Sequence, residues 1–160
     1  MKNIFLKAIS GVALIVILVL ASQLPASGQN GKSRRIEGTW RIRTTLRNCQ
    51  SGAELRTFPG LNTFLAGGSM IATGAPSSPA LLSSGHGVWE YMVGRSYLNT
   101  VVFFRFNPDG TYAGTQKITR HIELAEDSDE FTTNDSVEFF DSSDNLISTG
   151  CVTGTGKRVE

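Results

Sequence analysis

The feature that most constrains this chain is a two-residue alternation of apolar and polar side chains, with no helical stripe of useful length to compete with it. Over 38–49 (GTWRIRTTLRNC), Trp40, Ile42 and Leu46 stand at even positions while Arg41, Arg43 and Arg47 stand at odd ones. Successive side chains of a strand point to opposite faces, so this pattern describes a strand with one face buried and the other in solvent. Further strands are expected over 63–73, 87–93, 98–106, 111–124, 130–140 and 145–159. Several are long, which suits a strongly curved sheet.

The residues between these stretches have hairpin chemistry. In Asn107-Pro108-Asp109-Gly110 the proline presets φ at the first turn position, and the glycine accepts the positive φ at the exit. Asp141-Ser142-Ser143-Asp144-Asn145 and the stretch 126–129 separate two more adjacent pairs. Sequential hairpins make an antiparallel meander. About eight long strands in that order close most readily into an up-and-down β-barrel, which removes exposed sheet edges. The segment 73–85 (TGAPSSPALLSSG) breaks the rhythm with Ser, Pro and Gly and is expected to be a loop at the barrel mouth. Gly67-Gly68 is expected to mark a bulge or tight bend within the second strand.

Gly38-Thr39-Trp40 at the start of the first strand, with Arg158 near the end of the last, resembles the lipocalin and wider calycin pattern. The resemblance implies an all-β barrel in which Trp40 packs beneath Arg158, the guanidinium stacking on the indole and plugging the closed end. Arg47-Asn48-Cys49-Gln50 and Gly85-His86-Gly87-Val88-Trp89 also resemble segments of secreted bacterial proteins that carry no functional assignment.

The cysteines reach a closed barrel by a separate route. Facing positions of an antiparallel pair have residue numbers of constant sum. Trp40 with Arg158 gives 198 and Cys49 with Cys151 gives 200, so one register nearly serves both, with a two-residue offset left for a bulge or diagonal contact. Parity also separates the pairs, even inward and odd outward. First and last strands meet only if the sheet closes, and in an exported protein Cys49 and Cys151 are expected to form a disulfide. Neither has a second Cys or a His at ligand spacing, so no metal ion is expected, and nothing in the sequence requires a cofactor.

Export is itself legible. Lys2 and Lys7 precede a 14-residue uncharged run over 8–21, and Ala26-Ser27-Gly28 supplies small residues for cleavage. As a helix that run spans about 21 Å, short of the ~30 Å hydrocarbon core, so residues 1–28 read as a signal peptide and 29–160 as the barrel domain. The expected location is periplasmic or extracellular, with no stable membrane anchor after cleavage. Loss of the leader takes the formal net charge from +1 to −1, which gives no global bias towards nucleic acid. Charge is segregated nonetheless, basic over 32–56 and acidic over 126–144. Both runs are read as solvated strand faces, because the acids lack the spacing of an EF-hand loop.

With even positions inward, the lining over 111–124 includes Tyr112, Gln116, Ile118 and Arg120, a mostly apolar face with two polar residues embedded. Phe104 and Phe139 join it from neighbouring strands, while Val101, Phe103 and Arg105 form the opposite set over 98–106. Both faces of that strand are apolar, so its outer one needs a cover, either the 73–85 loop or a second copy in a homo-oligomer.

Catalytic signals are sparse. His86 with Ser83, Ser84 and Glu90 can be written as an acid–base group, but a turn histidine at a strand start explains it better, and no nucleophile elbow is present. The expected function is a secreted lipocalin-like protein holding a small apolar or amphipathic molecule in the barrel. Two alternatives stand beside it: a barrel enzyme resembling allene oxide cyclase, with His86, Glu90, Tyr112 and Arg120 as its groups, and a structural envelope protein with a filled barrel.

Overall fold

The computed structural model describes residues 36–74, 79–127 and 129–159. The expected leader, 1–28, lies outside them. Eight strands follow one another: β1 (Gly38–Arg47), β2 (Glu54–Phe64), β3 (Ser69–Gly74), β4 (Gly85–Val93), β5 (Ser96–Phe106), β6 (Tyr112–Leu124), β7 (Glu130–Phe140) and β8 (Leu146–Arg158). Each pairs antiparallel with the next, and β8 pairs with β1 to close the barrel. One 3-10 turn, Pro79–Leu81, is the only helical element among the described residues. The fold is the all-β up-and-down barrel that alternation and turn chemistry predict.

Closure has a simpler register than the sequence suggested. From Trp40↔Arg158 to Arg47↔Cys151 the β1–β8 ladder runs without a shift. No bulge absorbs the two-residue offset. Instead β1 ends at Arg47, and Asn48 opens a tight turn in which its Oδ1 accepts hydrogen bonds from the Gln50 and Ser51 amides at 2.9 Å. Cys49, carried on that turn, reaches across to Cys151 and forms the disulfide with a Cα–Cα separation of 5.2 Å.

The second strand differs from expectation. The stretch 63–73 is a hairpin, with β2 ending at Phe64, β3 starting at Ser69, and Gly67 and Gly68 forming the turn at φ of +90°. Most of β2 lies upstream, in a region where Pro59-Gly60 reads as a break. Proline survives there because β3 is short and pairs only with Gly60 to Phe64. Pro59 therefore has a neighbour on the β1 side alone, the edge-like position in which a missing N–H is tolerated.

The interior divides into three levels. At the β1 start and β8 end, Trp40, Phe64, Phe131, Ile122 and Leu124 pack into a dry core. Asn62, Asn99, Arg120, Thr133 and Asp135 form a buried polar waist above it. Beyond the waist the barrel is open. Charged side chains such as Arg41, Arg43, Glu123 and Lys157 stand exposed on the outer face, the reverse of the polarity a lipid-embedded barrel needs. Among the described residues no helix is long and apolar enough to cross a membrane.

Candidate functional site

The closed end explains the Gly-x-Trp sequence locally. Trp40 is fully buried, its Nε1 donates to the Ile36 carbonyl at 2.7 Å, and the Arg158 guanidinium carbon lies 4.2 Å from the indole centroid. Arg158 Nη1 donates to the Glu37 carbonyl at 2.7 Å, and its Nε is 3.3 Å from Asp129. Gly38 has φ +119°, and a Cβ there would sit 3.0 Å from Arg158 Nη1, so any other residue would be both strained and crowded. Phe131 tilts against Trp40 with ring centroids 4.8 Å apart.

The waist is one cross-strand row. Asn99 pairs with Arg120 across β5–β6, and Arg120 pairs with Asp135 across β6–β7, so all three side chains point inward at the same height. Arg120 Nε donates to Asp135 Oδ2 at 2.8 Å, and with the Asn62 amide oriented so that its oxygen faces the guanidinium, the assignment that satisfies both groups, Nη1 donates to it at 2.6 Å from the opposite wall. Burial holds the Asp135 carboxyl above the usual carboxylate range, against the opposing pull of the Arg120 charge and hydrogen bond. Asp135 Oδ1, Thr133 Oγ1 and Asn99 Oδ1 have no hydrogen-bond partner there.

Above the waist lies a cavity of about 360 Å³. Leu46, Phe58, Phe103, Val137, Phe139 and Val152 form its wall, and Leu81 and Leu82 from the β3–β4 connection contribute to it. Its polar lining consists of Thr44, Arg105, Gln116 and Arg120. The β3–β4 connection is fastened to β5: Leu82 bridges Arg105, the Ser83 amide donates to the Phe104 carbonyl, and the Phe104 amide donates to Ser83 Oγ, both at 2.9 Å. This size and mixture, an apolar wall with a few convergent polar groups, is what a small-molecule site requires.

Of the residues singled out from sequence, Gln116, Ile118, Arg120 and Phe139 line this cavity. Phe104 and Tyr112 do not. They are 54% and 43% exposed on the outer face, where their rings meet edge to face at 5.9 Å. Two causes correct the expectation. On β5 the odd residues Tyr97, Asn99, Val101 and Phe103 face inward, so Phe104 faces out. On β6 a bulge between the pairs Arg105↔Gly114 and Phe106↔Tyr112 resets parity, turning Tyr112 outward although Gly114, Gln116 and Ile118 face in.

His86 and Glu90 are exposed on the outer face of β4, and Ser83 Oγ is engaged with the backbone of Ser84 and Phe104. The glycines flanking His86 are there for the interior. Gly85 leaves room for the Phe103 ring, a Cβ coming within 2.6 Å of it, and a Cβ on Gly87 would collide with the Thr100 carbonyl. The group does not converge on the cavity.

Two interior charged positions differ from the sequence expectation. Asp135 belongs by sequence to the acidic run, yet its parity with Phe131, Thr133 and Val137 places it inside. Arg105, expected on the outer face of its strand, shares the parity of Val101 and Phe103 and lines the interior. No protein-family model and no curated protein matches this chain.

Proposed function

We propose that this protein is an exported, lipocalin-like binding protein that holds one small apolar or amphipathic molecule in the upper half of its barrel. The observation that carries the reading is the 360 Å³ cavity, apolar in its wall and provided with Arg105, Gln116 and Arg120. A barrel serving only as a packed scaffold would have side chains filling that space at interior density. The leader pattern over 1–28 and the Cys49–Cys151 disulfide support export. Amino-terminal mass spectrometry of the protein recovered from its host tests cleavage after Gly28.

Binding is tested by titration with the neutral fluorophore N-phenyl-1-naphthylamine. One-to-one uptake is expected, and Val152→Trp, which projects into the cavity, should abolish it while the thermal transition is retained. No uptake by the unaltered protein would refute the reading. Organic extraction of the native protein followed by mass spectrometry identifies the natural occupant. The exposed apolar outer surface of Ile71, Val88, Val102 and Phe104 supports a homo-oligomer that covers it, which sedimentation at micromolar concentration tests.

A further inference from the structure

Two arginines line one cavity, and their circumstances differ. Arg120 lies at the waist, with Nε given to Asp135 and Nη1 to Asn62. Two of its five N–H donors go to the waist, and its charge is answered there by the Asp135 carboxylate. Arg105 stands near the end of β5, six residues further along the strand than Asn99, the partner of Arg120. Its guanidinium carbon lies 5.4 Å from the Phe139 ring centroid, and its hydrogen bond to the Phe140 carbonyl is long, at 3.4 Å. Among the described residues no carboxylate lies within ion-pair distance of it.

The backbone fixes Arg105 firmly even though its head group is loosely held. On one side it pairs with Gly114 at the β6 bulge, and on the other it bridges Leu82 of the β3–β4 connection. Gly114 has φ +111°, and a Cβ there would collide with the Phe140 carbonyl oxygen, so the bulge is specified by sequence. Bulges of this kind re-aim a side chain next to a functional site. Here the re-aiming turns the bulky Tyr112 outward while Arg105 points in, with Gln116 beside it on the same wall.

Resting on the binding function proposed above, we infer that the ligand is a monocarboxylate with an apolar body, its head group held by Arg105 and not by Arg120. A planar guanidinium with free donors matches a carboxylate bidentately, and charge-assisted bonds of that type are about twice as strong as neutral ones. The face of Phe139, 5.4 Å from the guanidinium carbon, attracts the cation without consuming its N–H groups. The apolar body would lie against Leu46, Phe58, Val137 and Val152, and the volume sets a medium-chain or single-ring size limit.

The test compares decanoate with 1-decanol as competitors for N-phenyl-1-naphthylamine at pH 7.5, in the unaltered protein, Arg105→Gln and Arg105→Lys. The acid should displace the dye at about tenfold lower concentration than the alcohol. Arg105→Gln should bring the acid down to the affinity of the alcohol, removing that preference, and Arg105→Lys should restore part of it. Equal affinity for acid and alcohol in the unaltered protein would overturn the inference while leaving the binding function standing, as would an acid preference that survives Arg105→Gln. Failure of the dye and both competitors to bind the folded protein would overturn both. A retained thermal transition reports that each variant is folded.

Discussion

Arg158, the third residue from the end of the sequence, lies over the ring of Trp40, the third residue of β1, and the two are direct partners in the β1–β8 ladder. The Cys49–Cys151 disulfide fastens the other end of the same seam. The strand pair with the greatest separation along the chain is therefore held at both ends by side-chain links additional to its backbone ladder. Non-local pairing carries the largest loop-closure cost, which makes this seam the place where such links contribute most.

Arg158→Ala should destabilise the barrel by roughly 1–3 kcal/mol through lost stacking and stem packing, measured by denaturant unfolding. A neutral effect would mean that Trp40 is held by its apolar neighbours alone.

Titration of the denatured, unreduced protein should find no reactive thiol. The Cys49→Ser/Cys151→Ser double variant should lose about 2–5 kcal/mol, because the bond closes a loop of roughly 100 residues that the unfolded chain would otherwise explore freely. Two titratable thiols in exported material would remove the bond.

Asp135 gives a pH dependence of unusual sign. Its native carboxyl is raised above the 3.8 of the free group, so between that value and its native value the folded state binds more protons than the unfolded state. Its contribution is therefore fully present at low pH and declines as pH rises through that window. Asp135→Asn, which keeps an oxygen for Arg120, should remove this slope from a plot of stability against pH. Asp135→Ala should cost about 3–5 kcal/mol by leaving the buried guanidinium unanswered, whereas Arg120→Met/Asp135→Leu together should be neutral or stabilising. A slope of the opposite sign would show that the ion pair outweighs burial.

The turn aspartates behave in the ordinary way. Asp109 is lowered by hydrogen bonds from the Thr111 side chain and amide, and Asp141 by hydrogen bonds from Asn145 and Ser143. Both contribute stability above the free value of 3.8 that is lost as pH falls through the native value. Asp109→Asn/Asp141→Asn should flatten the acid limb of the stability curve, followed by circular dichroism between pH 5 and 2. An unchanged acid limb would assign acid sensitivity to other carboxylates.

Gly114→Ala should be strongly destabilising, since the position combines positive φ with a steric collision against the Phe140 carbonyl. Differential scanning calorimetry checks it, and a wild-type transition would mean that the bulge can relax.

Barrel, strand order and closing pair were legible in the sequence because each depends on a local signal: side-chain period, turn residues, and the parity of two distant pairs. Residues 40–46 and 130–137 alternate cleanly, and their buried faces follow from counting by two. The site was only partly legible. Counting by two fails wherever one residue is inserted, and the β6 bulge moved Tyr112 from the lining to the surface in a way that Tyr112 itself does not announce. Nor does a charge disclose its partner: Asp135 looks like one more acid in a solvated run until the β6–β7 register sets it against Arg120. By itself, the sequence determined most of the segments that become strands, β2 and β3 excepted, from the pattern of neighbours along the chain, and their closure from two distant pairs that share nearly one register. Only the tertiary structure decided that, among the described residues, Arg120 has its charge answered by Asp135 while Arg105 faces the cavity with no carboxylate at ion-pair distance, because that depends on groups brought together by the curvature of the whole sheet.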